Sequence, residues 1–181
     1  MEDNINQTKQ INIIGTTNRY QIKKLTTHTT KKKRIISSKW NIQEKYYDKE
    51  MQLEILKTDT ITNQELHNIK SLIISQVETK ISGYTQQDNI KKIKNHNVIS
   101  LEETIKKLVA SKLNCLYCNK DLLVLYEIAR EMKQWTLDRI DNDQGHTYDN
   151  VVIACLECNL QRRRTNSDKF LFTKQMKIVR S

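Results

Sequence analysis

Leu66, Ile69, Ile73, Val77 and Ile81 follow one another at three- and four-residue steps, the spacing that gathers apolar side chains on one face of an α-helix. Thr62-Asn-Gln-Glu65 just before them is a capping-box signature, and Gly83 just after them predicts the C′ residue that closes the helix. A polar connection containing Lys91, Lys92 and Lys94 comes next. Ser100-Leu-Glu-Glu103 is a second capping box and predicts a helix through about Leu113, with Leu101, Ile105, Leu108 and Val109 facing inward. Upstream, residues 41 to about 57 form a less regular helical pattern from Tyr46, Tyr47, Met51, Leu53 and Ile55. These stripes predict a core or an interface with a second copy; the helices of residues 62–113 are the candidate contact of a homodimer.

Beyond Leu113 the period shortens. Leu122 to Tyr126 is a short apolar run, strand or buried turn, and residues 127–134 are equally compatible with a brief helix and a polar loop. Trp135 to Ile140 alternates and predicts a strand, with Val151 to Ala154 as its partner. Between them, Asp141-Asn-Asp-Gln-Gly145 is turn chemistry, in which Asx side chains bond the local backbone and Gly supplies a positive φ. Leu156 to about Thr165 and Ser167 to about Ile178 predict two closing helices, the last with Phe170, Leu171 and Met176 inward.

Charge is distributed unevenly. The 181 residues carry a net charge of +10, mean hydropathy is −0.70, and there is no proline. Residues 1–40 hold nine Lys/Arg against two acids (net +7), residues 41–99 eight against eight, and residues 100–181 fourteen against eleven (net +3). The first segment is rich in Thr, Asn, Gln and Lys and has too few apolar residues to offset its ordering entropy, which predicts a flexible basic arm. Its cluster Lys31, Lys32, Lys33 and Arg34 suits a grip on nucleic acid, a nuclear-localisation patch or a solvated tail. Three segments result: an arm over 1–40, a helical segment over 41–99 and a module over 100–181.

The polar, acidic opening Met1-Glu-Asp-Asn-Ile-Asn lacks the apolar region of a secretory signal. No apolar run has the length of a membrane span. Both features predict an intracellular protein. Abundant Lys, Asn, Ile and Thr fit an AT-rich genome such as that of a phage or large DNA virus. In that case the site of action is the host nucleus or cytoplasm, or the virion.

Four cysteines stand in two Cys-x-x-Cys pairs, Cys115/Cys118 and Cys155/Cys158. A two-residue spacer lets both thiolates of a pair reach one tetrahedral ion, so the pattern predicts a structural zinc, with two disulfides as the alternative. The 36 residues between the pairs require a structured insert inside the zinc loop.

Leu137-Asp-Arg-Ile-Asp141, then Gly145-His-Thr-x-x-Asn150-Val-Val, then Cys155-x-x-Cys158-Asn159 resemble the HNH (ββα-metal, or His-Me finger) nucleases over about residues 100–170. The zinc-stapled members, phage recombination endonucleases among them, are the nearest in pattern. The helical stripes and the resemblance together predict an α+β fold: a helical N-terminal half, read from the stripes, followed by a zinc-stapled, treble-clef-like ββα module, which the resemblance implies. The resemblance also implies a catalytic Mg²⁺ or Mn²⁺ held by Asp138 and Asn159, oxygen donors of the kind a hard cation prefers. Such an ion stabilises the leaving 3′-oxygen as a phosphodiester breaks. Asn150 matches the central Asn of the motif and is expected to bond across the loop.

One departure changes the chemistry. The family usually has Asp-His where this chain has Asp138-Arg139, and arginine stays protonated and cannot accept a proton. Arg139 then suits a clamp on the scissile phosphate or on developing negative charge. His146, the nearest imidazole, is the candidate general base; otherwise it is a surface-loop histidine, and a metal-bound hydroxide or an inactive site are the other outcomes. Arg162, Arg163 and Arg164 are expected to reach flanking phosphates, with one of them free to pair with Glu157 or another acid instead. Asp141 and Asp143 lack the further acids of an EF-hand loop. The implied function is metal-dependent endonucleolysis of DNA, with weak sequence preference and strong salt dependence. The alternative is a catalytically weak or inactive zinc module that binds nucleic acid, as in packaging or in a virion.

Overall fold

The computed structural model describes residues 14–16, 22, 31–93 and 97–176. Contacts divide the chain into Met1–Lys32 and Lys33–Ser181, and the second unit is the one described below. The flexible basic arm expected over residues 1–40 lies for the most part outside the described residues. Residues 33–40 are ordered by specific bonds: the Arg34 amide donates to Glu127 O at 2.7 Å, and Ser37, buried, starts a 3-10 turn over Ser37–Lys39.

The predicted helix over 41–57 is shorter. A 3-10 turn covers Glu44–Tyr47, and helix α1 spans Lys49–Lys57, its first turn closed by the Asp48 side chain accepting from the Glu50 and Met51 amides. Helix α2, Gln64–Ile90, takes Asn63 as its N-cap, one residue later than the capping box predicts. Its stripe Ile69, Ile73 and Val77 is buried within the chain and supplies core.

Gly83 does not end this helix, which continues to Ile90. Glycine in a helix interior costs about 1 kcal/mol, and two anchors one turn apart outweigh it. Tyr84 Oη accepts the Leu137 amide at 3.0 Å, and Asp88, 1% exposed, bonds the loop after β1. Helix α3, Leu101–Ala110, shows the complete capping box, with Ser100 and Glu103 each bonding the other's backbone, but stops short of Leu113.

Leu122, Val124 and Leu125 are fully buried yet belong to no paired strand. Gln52 of α1 resolves the problem such a segment poses, because buried backbone groups must find partners. Its Oε1 accepts the Val124 and Leu125 amides at 2.8 and 3.0 Å, and its Nε2 donates to Leu125 O and Tyr46 O at 3.1 and 3.0 Å. One buried amide thus replaces a missing strand. Gln52→Leu keeps the apolar volume and strands these groups, so we expect a loss of about 3 kcal/mol in chemical denaturation. A change within 0.5 kcal/mol would show that the segment finds other partners.

β1 (Trp135–Arg139) and β2 (Val151–Cys155) form an antiparallel pair in which Trp135 faces Cys155 and Asp138 faces Val152. Helices α4 (Leu156–Arg162) and α5 (Ser167–Gln175) follow directly. Strand, strand and helix pack together with the helical segment on one mixed α+β core, in which Trp135, Leu137, Ile153 and Ala154 join Ile73, Val77 and Leu108. Phe170 turns inward and Leu171 half so, whereas Met176 is 50% exposed, because α5 ends at Gln175.

Candidate metal centre and adjoining cleft

Two tight turns bring the thiols together. In the first, the Asn119 amide donates to Cys115 O at 2.9 Å while Asn119 adopts φ 56°, a left-handed conformation that asparagine tolerates. The Leu116 amide ties this knuckle to Ile153 O at 3.0 Å. In the second, Cys155 ends β2 and also caps α4, its sulfur accepting the Cys158 amide at 3.3 Å.

All four Sγ atoms lie within 4.8 Å of one another, and Cys115, Cys155 and Cys158 are buried. The cysteines are free thiols, with Cys118 and Cys155 sulfurs 3.8 Å apart. Burial and the neighbouring Cys115 charge push the Cys158 thiol up to about 12. A cation at the centre would remove that conflict by neutralising the thiolates. The set can hold one metal ion.

Directly beside it, β1, α4 and the C-terminal third of α2 enclose a cleft of about 280 Å³, whose lining includes Tyr84, Gln87, Asp138, Arg139, His146 and Asn159. Asn159, the residue after Cys158, donates its Nδ2 to Thr136 Oγ1 at 3.1 Å and lies 3.5 Å from Leu137 O. Asn150 spans the loop between the strands: its Oδ1 accepts the Asp141 amide at 2.9 Å, and its Nδ2 donates to Asp141 O and Gly145 O, each at 2.9 Å.

His146 is not a surface-loop residue. It is 3% exposed, its ring lies 4.5 Å from that of Tyr84, and its Nδ1 is 2.8 Å from Asp88 Oδ1. Its backbone amide donates to Asp88 Oδ2 at 2.7 Å. Burial lowers its pKa below the usual imidazole value against the opposing pull of Asp88, which favours the neutral ring at pH 7. Gly145 has no positive φ, so the turn does not need it for that reason. A Cβ there would stand 3.0 Å from Asp88 Oδ2, so glycine is what lets the loop meet the carboxylate.

Arg139 is 7% exposed, donates Nη1 to Gln144 O at 3.0 Å and lies 3.8 Å from Asp88 Oδ1. Asp138 is held firmly. Arg162 Nε donates to its Oδ2 at 2.5 Å, Arg162 Nη2 to its Oδ1 at 2.9 Å, and Tyr117 Oη to its Oδ2 at 2.7 Å. Tyr117 Oη also lies 3.1 Å from Ser167 Oγ, so the carboxylate joins the first knuckle, β1, α4 and α5.

Arg162 therefore does not face solvent. It is fully buried, bonds Thr165 O at 2.7 Å as well, and is no contact for a phosphate. Arg163 is exposed; Arg164 is exposed and pairs with Asp143 at 2.7 Å; Glu157 pairs with Lys120 and with none of the three arginines. Arg34 is likewise structural, its guanidinium 4.3 Å over the Tyr126 ring and 2.9 Å from Gln76 Oε1. Lys31, Lys32 and Lys33 are exposed, Lys33 beside Glu127 at 3.3 Å.

Sequence reasoning missed Tyr84, Asp88 and Tyr117. Tyr84 and Asp88 lie past Gly83, where the helix was expected to have ended. Tyr117 is a spacer inside Cys-x-x-Cys, where no pattern marks a side chain that turns inward. Among the described residues no helix is long and apolar enough to cross a membrane. No family model, curated protein or solved structure matches the chain.

Proposed function

We propose that this chain is a metal-dependent nucleic-acid endonuclease of the HNH type, built on a structural zinc and acting most readily on DNA. The observation that carries the reading is that Asp138, Arg139, His146 and Asn159, each singled out from the sequence, line one cleft beside the four thiols. A four-thiolate set suits Zn²⁺ and leaves no open position, so zinc here is a staple and not the reactive ion. Held by Cys155 and Cys158, it would fix the start of α4, and with it Asn159.

A divalent Mg²⁺ or Mn²⁺ at Asp138 and Asn159 would supply charge to bind a phosphate oxygen and to stabilise the leaving oxygen. The donors are hard oxygens, as such an ion requires. Arg162 already pairs with Asp138, which lowers the charge that carboxylate can offer a cation. The chain's own residues provide the rest. With Nδ1 committed to Asp88, His146 offers Nε2 to the cleft and takes a proton from the attacking water. The water oxygen bonds to phosphorus, the P–O3′ bond breaks, and the leaving oxygen is protonated from solvent. Arg139 orients the phosphate, and Asn150 holds the loop that carries His146. Arg163 and Arg164 bind flanking backbone, and the lysines at 31–33 add to the chain's attraction for a polyanion.

A second reading, a zinc module that binds nucleic acid without cutting it, is favoured by the same Asp138–Arg162 pair, which consumes the charge a catalytic cation would want. Supercoiled plasmid with Mg²⁺ or Mn²⁺ separates the two. Asn159→Ala is the better probe of the cation site, since Asp138 also carries structure. The proposal expects nicking by the native chain and a drop of about 10²–10⁴ in His146→Ala, with Asn159→Ala also strongly impaired. Plasmid that is retarded in a gel but never nicked selects the second reading.

A further inference from the structure

We infer that Asp88, delivered by the long helix of the N-terminal segment, is the positioning residue that sets the tautomer of His146 and so orients the base that β1, with Arg139, does not supply. The inference rests on the hydrolytic reading above and extends it to a segment with no part in the motif.

The geometry is specific on three counts. Asp88 is 1% exposed, and both of its oxygens serve one residue: Oδ1 lies 2.8 Å from His146 Nδ1, and Oδ2 accepts the His146 amide at 2.7 Å. An ionised carboxylate only accepts, so Nδ1 must carry the proton and Nε2 is left bare, the form a general base requires. The approach is also built in: helix α2 runs on past Gly83 to reach this point, and Gly145 leaves room that a Cβ would reduce to 3.0 Å from Oδ2. A buried acid on a core-facing helix is costly unless its partners repay it. Tyr84 stacks near the same imidazole, and Arg139 at 3.8 Å balances the carboxylate charge.

Asp88→Asn tests the role with little disturbance of shape. Its carbonyl oxygen can still accept the His146 amide. Its NH₂ then faces Nδ1 and can donate only if the ring proton moves to Nε2. The full-length, zinc-loaded chain is studied by long-range ¹H–¹⁵N NMR of the histidine side chains, together with plasmid nicking. We expect Nδ1–H in the native chain and Nε2–H in Asp88→Asn, with cleavage reduced about 10²–10⁴-fold. Asp88→Glu, which keeps an acceptor-only group, should restore Nδ1–H and part of the rate. An Nε2–H tautomer in the native protein overturns the inference outright. A tautomer that switches while the rate stays constant also overturns it and leaves the hydrolytic reading standing. A native chain that nicks no plasmid removes the hydrolytic reading, and this inference falls with it whatever the tautomer.

Discussion

Stripping the metal with a strong chelator should unfold the module at room temperature, seen as loss of the fixed environment of Trp135 in fluorescence. Trp135 is fully buried and faces Cys155 across the strand pair, so it reports on the sulfur cluster directly. Without an ion, several thiols are buried next to one another with nothing to hold their charge. Structural zinc sites carry roughly 10–16 kcal/mol of apparent binding energy, against a net stability of about 5–15 kcal/mol for a whole domain. Losing the ion is therefore expected to exceed what the remaining core supplies. Cys155→Ser should reproduce the effect, because Cys155 both joins the cluster and caps α4. An unchanged melting profile after chelation would mean that the thiols are bystanders.

Arg162→Met should be the most damaging single change away from the cysteines. The guanidinium is completely buried and makes two bonds to Asp138, one to Thr165 O and one to Arg139 O. Removing one partner of a buried ion pair leaves the other charge uncompensated, at a cost of about 3–5 kcal/mol. Tyr117 still donates to Asp138, but one neutral hydroxyl does not balance a carboxylate. The double variant Asp138→Asn with Arg162→Met removes both charges and should recover most of that loss. Denaturant melts of the two singles and the double close the cycle. A double variant as unstable as Arg162→Met alone would show that the loss comes from packing and not from a stranded charge.

Wherever a residue's local environment decides its conformation, the chain could be read directly. Ser100 and Glu103 satisfy each other within one turn, and the α2 stripe needs only helical spacing to find the core. The strand pair and both cysteine knuckles follow from alternation, turn chemistry and thiol spacing. What escaped was decided by partners far away in sequence. Gly83 carries a stop signal that Tyr84 and Asp88 override through contacts more than fifty residues distant. Arg162 stands in a run of three arginines, and nothing in the run tells which one turns inward to a carboxylate on another element. Gln52 reads as one more polar residue on a helix until it meets a stretch with no strand beside it. In each case a buried polar group was satisfied across the fold, and local pattern is silent about such pairings.

Native mass spectrometry of the purified chain, followed by the same spectrum under denaturing conditions, tests most directly whether a single tetrathiolate ion organises the cleft. The account requires one zinc per folded chain and four reduced cysteines once it is released. A metal-free folded chain, or one whose denatured mass reveals two disulfides, would contradict it.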